Sequence, residues 1–170
     1  MIELSTHIFE VLRKDEDFIL YRGRSANDAS QVLVFSPAAE HPAPESLKQL
    51  EHECSLREEL DPAWAVRPIA MVRHSDRTVL VLEDPGGVPL DQLLGQPLDL
   101  ASSLRLAIGL SIAIDHLHQC RIIHKDIKPA NVLVNPVTGQ CWLSDTLDIM
   151  HESAGFSESF SRSPLKLRPA

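Results

Sequence analysis

The chain has 170 residues, 44% hydrophobic and 24% charged, which suits one ordinary soluble domain with a core of its own. Its net charge of −8 repels phosphate backbones and anionic lipid, which argues against binding to nucleic acid or a membrane surface. No apolar run approaches the roughly 20 residues of a membrane span, and the opening "MIELSTHIFEVLRKDEDF" has early acids and no signal-peptide pattern, so the cytoplasm is the expected compartment.

In chain order, residues 8 to 22 hold two apolar runs, "IFEVL" and "FILY", around the polar turn "RKDED", which predicts a hairpin. "QVLVF" (31–35) predicts a third strand. Residues 45 to 60 predict a helix, since Leu47, Leu50, Cys54 and Leu60 sit near helical spacing and Asp61-Pro62 ends it. "VRPIAMV" and "TVLVL" predict two more strands joined by "RHSDR". "EDPGGVP" (83–89) reads as a hinge, with a short helix over 90–94. Ser102 or Ser103 is placed to cap a helix over 103–118. Eight of the eleven residues Leu104 to Ile114 are apolar, so this helix expects cover on several sides. A turn at "NPVTGQ" and a strand "CWLS" follow. The last twenty residues, with five serines and two prolines and no sustained periodicity, read as a disordered tail. Cys54, Cys120 and Cys141 are odd in number and far apart, and read as small buried hydrophobes. His116 and His118, two residues apart, do not share a helix face and do not suggest a metal pair.

The stretch "HKDIKPANVLV" (124–134) carries the chemistry. Phosphoryl transfer needs a carboxylate near the attacking hydroxyl, a cation on the moving phosphate, and oxygen ligands for Mg²⁺. Asp126 suits the first role and Lys128 the second. Asn131, five residues after Asp126, suits a metal ligand, and Asp145 after a strand suits another.

Together with "YRGR", "AEHPAPESL", "VRPIAM", "LVLEDPGG", "LDQLLG" and "IIHKDIKPANVLVNPVTGQ", this motif resembles the Ser/Thr protein kinase fold over about residues 8 to 150. The resemblance is greatest to the kinase-like domains at the N-termini of large bacterial hybrid sensor histidine kinases. It implies an α+β fold. A five-stranded antiparallel N-lobe with one helix would occupy residues 1–82, a hinge 83–89, a truncated, mainly helical C-lobe 90–150, and the tail 151–170. It implies ATP and Mg²⁺ as cofactors, both bound weakly. Asp126 would be the base, Lys128 the phosphate-binding lysine, and Asn131 and Asp145 the metal ligands. Glu53 would be the helix glutamate that pairs with a strand-three lysine, Leu82 the gatekeeper, and Glu83 the start of the hinge. Lys125 stands where the family's H-R-D motif has arginine, and Thr146 and Leu147 replace the Phe and Gly of D-F-G.

Other positions depart further from the pattern. Phe35 holds the place of the ATP-binding lysine, and the three loop glycines fall at Arg13, Asp15 and Phe18. Bulky residues cannot bring backbone amides onto phosphates as glycine does, and Asp15, Glu16 and Asp17 would repel them. Lys14, in the hairpin turn, is the best-placed substitute cation, with Arg22 less well placed. Glu53 then lacks its usual partner and reads equally well as a solvated helix glutamate. No activation loop, A-P-E segment or later helices are recognisable after Asp145, which leaves the 103–118 helix free for a protein partner or a second copy. The implied function is an ATP-binding domain of Ser/Thr kinase lineage, impaired or inactive. The alternatives are a pseudokinase interaction module and a non-functional fragment of a larger signalling kinase.

Overall fold

The computed structural model describes residues 4–27, 29–95, 97–145 and 149–151. Strands β1 (His7–Lys14), β2 (Phe18–Ser25), β3 (Gln31–Pro37), β4 (Pro68–His74) and β5 (Arg77–Glu83) form one antiparallel sheet in the order β1-β2-β3-β5-β4. Side-chain chemistry sets the turns. Asp15 Oδ1 accepts from the Phe18 amide at 2.7 Å and from the Asp17 amide at 3.2 Å, closing the first hairpin. Ser75 and Asp76 both take positive φ (49° and 63°), the twist a two-residue hairpin between β4 and β5 demands.

Alternation along the strands gives the sheet two apolar faces. Leu20, Leu33, Phe35, Leu80 and Leu82 point inward to a core that includes Leu50. Val34, Val79 and Val81 point outward and are covered by Leu4, Phe9 and Tyr21. Helix α1 (Pro44–Ser55) lies between β3 and β4, and a 3₁₀ turn over Leu56–Glu58 continues it, so the predicted 45–60 helix is shorter and breaks earlier. Its start carries Pro44 in the first turn, where a missing N–H costs nothing.

Past the hinge, β6 (Val88–Pro89), β8 (Val132–Val134) and β9 (Cys141–Leu143) form a small sheet, with a 3₁₀ turn at Leu90–Leu93 between β6 and α2 (Leu100–Gln119). β7 (Ile122–His124) pairs antiparallel with β10 (Ile149–His151). That pairing was not expected, and it puts His151 in a strand rather than in the tail. The rest of the tail, with Thr146 and Leu147, lies outside the described residues. α2 begins earlier than predicted. Its cap is Asp99, whose carboxylate accepts from the Ser102 amide at 2.9 Å, and neither serine takes that role.

The two lobes share one seam. On β8 and β9, Leu133 and Trp142 face the inner core of the large sheet, while Val132, Val134, Cys141 and Leu143 face α2 with Ala113 and Leu117. The segment Trp64–Val66 is stitched to the same strand: the Val66 amide donates to the Leu143 carbonyl at 2.8 Å, and the Leu143 amide to that of Trp64 at 3.0 Å. Of the cysteines, only Cys141 is buried; Cys54 is half-buried and Cys120 exposed, which corrects the expectation for those two.

α2 is long and apolar enough to cross a membrane by length and composition, which corrects the expectation that no run approaches that length. Here one side packs on β7 and β9, and Leu100, Leu104, Ile108 and Ile112 stand exposed on another. The packed side is close because Gly109 meets the turn after β8. A Cβ at Gly109 would overlap the Gly139 carbonyl, and Gly139 has φ +78°.

Gly109→Ala should therefore lower the unfolding free energy by about 1–3 kcal/mol through overpacking. Gly95→Ala, where a Cβ meets nothing within 4 Å, should change it by no more than about 0.5 kcal/mol. Chemical denaturation of the two variants beside the parent chain checks this.

Candidate functional site

The loop after β7 is held by a buried histidine. A carbonyl only accepts, so His124 Nε2 carries the proton it donates to the Ser144 carbonyl at 3.2 Å. Nδ1 is then the acceptor for the Asp126 amide at 3.3 Å. Lys128 is extended, and Pro129–Asn131 forms one 3₁₀ turn. The Ser144 amide donates to the Asn131 carbonyl at 2.9 Å, which pins the residue before Asp145 to this turn. Asp145 itself takes φ 62°, a left-handed conformation uncommon outside glycine though tolerated by aspartate.

These constraints bring four predicted site residues together. Asp126 Oδ2 accepts from Lys128 Nζ at 2.6 Å and from Asn131 Nδ2 at 2.9 Å. Asn131 Nδ2 also donates to the Asp126 carbonyl at 2.9 Å, so its amide nitrogen is turned to Asp126 and its Oδ1 points the other way. The Lys128 hydrogen bond holds the Asp126 carboxyl below the usual carboxylate range.

On that other side stands Arg13. Its Nη1 donates to Asn131 Oδ1, and its Nη2 donates to Asp145 Oδ2 at 2.8 Å and lies 3.3 Å from Asp15 Oδ2. The guanidinium also sits 5.6 Å from the centre of the Phe35 ring, which stacks on Phe18. Its side chain is only 6% exposed. Burial pushes the Asp145 carboxyl above the usual range, with Arg13 opposing and Asp15 adding to the shift.

Lys14 was expected as the substitute cation on strand β1. Lys14 is exposed, and the cation in the site is its neighbour. The reason is a bulge. Val11 pairs with Tyr21 and Arg13 with Leu20, so the ladder skips Leu12. One extra residue reverses the alternation, and Arg13 joins Leu20 on the inner face. Simple alternation from Phe9 and Val11 would have sent Arg13 outward, so the signal was not available before folding.

The remaining residues lie around this centre. Glu53 is 1% exposed, which corrects its reading as a solvated glutamate. Leu82 is buried in the inner core beside Leu33. Glu83 is half-buried, and its carboxylate lies 3.7 Å from Arg67. Arg22 does not enter the site. Its Nε and Nη2 donate to Asp84 at 2.6 and 2.9 Å, and Nη2 also donates to the Gly87 carbonyl at 2.6 Å, tying β2 to the hinge. Asp84 was not singled out in the sequence, because its partner is 62 residues away. Outside Arg13 opens a cavity of about 250 Å³, lined by Asp15, Glu16, Asp17, Asp126, Asp145 and Lys128 among others. Five carboxylates and one ammonium make its mouth negative. A larger hollow of about 360 Å³ lies on the far face of the sheet among Phe9, Tyr21 and His74 and carries none of this chemistry.

Comparison with known proteins points one way. A family model described as "Protein kinase domain" matches residues 21–146. Mitogen-activated protein kinase kinase kinase 3 of Arabidopsis thaliana is 31% identical over 112 residues, covering 62% of this chain and 17% of that protein. Serine/threonine-protein kinase PrkC of Bacillus subtilis (strain 168) is 29% identical over 122 residues, covering 71% of this chain and 18% of that protein. The RasGEF domain-containing serine/threonine-protein kinase X of Dictyostelium discoideum is 31% identical over 94 residues, 54% of this chain and 10% of that protein. The chain thus spans less than a fifth of these relatives.

The two aspartates should titrate in opposite directions. Asp126 should lose its charge only below the ordinary aspartate value of 3.8, and Asp145 above it. By linkage, the Asp126 contribution to stability is present above 3.8 and lost as pH falls through the folded value. The Asp145 shift has the other sign, so stability is lost as pH rises from 3.8 through its raised value. Carboxyl-carbon NMR titration of the folded chain, assigned with Asp126→Asn and Asp145→Asn, reads both.

Proposed function

Because the chain belongs to the protein kinase domain family, we propose that it is a cleft domain of Ser/Thr kinase lineage in which phosphoryl transfer is impaired or absent. Membership implies ATP and Mg²⁺ in general. The residues of this cleft do not fit that pair in the arrangement they hold. In this reading Asp126 is the inherited base and Lys128 the phosphate-side lysine, yet Lys128 is spent on Asp126 at 2.6 Å. Phe35, fully buried, supplies no charge where a strand-three lysine would meet the phosphates and Glu53. The turn Asp15-Glu16-Asp17 brings negative charge to the cleft mouth in place of glycine amides. The observation that carries the reading is Arg13, which holds both Asn131 Oδ1 and Asp145 Oδ2, the oxygens proposed as metal ligands.

Within the family we place the chain beside the kinase-like domains of bacterial hybrid sensor histidine kinases, on the stretches "YRGR", "LVLEDPGG" and "NPVTGQ", and in the cytoplasm. Leu82 would be the gatekeeper and Glu83 the hinge residue nearest an adenine. Lys14, exposed beside Arg13, would take part in phosphate binding only after rearrangement.

Mg·ATP should bind no tighter than about the millimolar range. Labelled phosphate should not be incorporated above the level of Asp126→Asn with either Mg²⁺ or Mn²⁺. Micromolar affinity by calorimetry, or robust incorporation that vanishes in Asp126→Asn, would make this an active kinase and sink the reading.

A second reading, of a different class, is an interaction module that self-associates. It is favoured by Leu100, Leu104, Ile108 and Ile112, four residues apart on one exposed ridge of α2, with the small Ala107 and Ser111 beside them. Exposed apolar patches of more than a few hundred Å² commonly mean association. The chain should sediment as a dimer or larger at micromolar concentration, and Ile108→Glu should shift it toward monomer. A parent chain that stays monomeric under those conditions removes this reading.

A further inference from the structure

The cleft contains four oxygens within 3.5 Å of the Arg13 guanidinium nitrogens: Asn131 Oδ1 and the Ala130 carbonyl at Nη1, and Asp145 Oδ2 and Asp15 Oδ2 at Nη2. These are hard oxygen donors, the kind a divalent cation of the Mg²⁺ type takes. What sits among them is the Arg13 guanidinium. Its planar fork spans two separate acceptors, Asn131 through Nη1 and Asp145 through Nη2, in a way a lysine could not. The site is built for this occupant. The Leu12 bulge turns Arg13 inward, Phe35 offers a ring where a competing cation would otherwise stand, and the Asn131 amide is fixed by Asp126 so that only Oδ1 faces Arg13.

We propose that Arg13 is an internal replacement for the divalent cation, so that the site admits a metal ion only when Arg13 is withdrawn. The proposal rests on the reading of Asn131 and Asp145 as metal-side ligands, and extends it to how the site is closed. Charge explains the exclusion. With Arg13 in place, Asp145 and Asp15 already share a cation, and a divalent ion entering beside it meets like charge. With Arg13 gone, Asp15, Asp126 and Asp145 face the cleft with Lys128 as the remaining cation among its lining residues. Arg13 also joins β1 to the 126–131 loop, so its withdrawal uncovers Asn131 Oδ1 and Asp145 Oδ2 together.

The probe is Mn²⁺ alone, without nucleotide, followed by loss of the aqueous Mn²⁺ electron-spin signal on the full chain. The parent chain should bind Mn²⁺ weakly at this site, and Arg13→Ala should bind on the order of tenfold more tightly or better. Arg13→Ala combined with Asp145→Asn should lose that gain. Arg13→Met keeps the apolar stem over Phe35 without the charge and carries the same expectation if the alanine variant does not fold. Equal Mn²⁺ affinity in the parent and the folded Arg13 variants overturns the proposal, as does a gain that survives Asp145→Asn. Calorimetry with Mg·ATP on the parent chain separates the two readings. Tight nucleotide binding there fails the impaired-kinase reading, while the Mn²⁺ comparison alone decides the role of Arg13.

Discussion

Arg13 ties the sheet to the 126–131 loop across 118 residues of sequence, and most of what is distinctive about this cleft depends on that contact. The guanidinium and the Asp145 carboxylate are both mostly buried, with side-chain exposures of 6% and 12%. Desolvating two such charges offsets much of their attraction, so the pair is weak evidence for net stability. Removing one partner is another matter, because the remaining charge is left buried, at a typical cost of about 3–5 kcal/mol. The pair therefore acts chiefly as a constraint on geometry. It makes an open cleft, with Asp145 stripped of its cation, a high-energy state.

A second buried pair, Arg22 with Asp84, does similar work at the hinge. The Asp84 side chain is fully buried and also accepts from the Gly86 amide at 2.8 Å, so the hinge turn and β2 are bound to one carboxylate. Two arginines, one on β1 and one on β2, thus tie the large sheet to Asp145 and to the hinge. Between them the interior is apolar, with Leu20, Leu33, Leu82 and Leu133 packed in one cluster. Leu133 of the small sheet thus meets Leu33 and Leu82 of the large sheet, with one buried ion pair at Arg13 and another at Arg22. The same β8–β9 seam that carries Leu133 also turns Val132 and Val134 toward α2, so the core of the large sheet and the packing of the second lobe depend on the same few strand residues.

Much of this was legible in the sequence where the cause is local. Short apolar runs between polar turns marked all five strands of the large sheet. The spacing of Asp126, Lys128 and Asn131 survives folding because a proline and one 3₁₀ turn leave the chain little freedom between them. The ends of helices were less legible. Asp99 rather than Ser102 caps α2, since either side chain can accept from an amide two or three residues on and the backbone decides where the helix starts. Glu53 looked indifferent because burial depends on what covers a helix face, and the cover comes from distant strands.

The sequence by itself determined the family, the sheet, and the loop that carries Asp126, Lys128 and Asn131, because each is written in short apolar runs or in a motif whose members lie within a few residues of one another. Only the tertiary structure decided which cation occupies the cleft. A single-residue bulge at Leu12 chooses between Arg13 and Lys14, and nothing within the strand announces it. Its effect is felt against Asn131 and Asp145, more than a hundred residues away. A side-chain period of two makes every strand sensitive to such a shift, so one residue out of register exchanges the face that meets solvent for the face that meets the site.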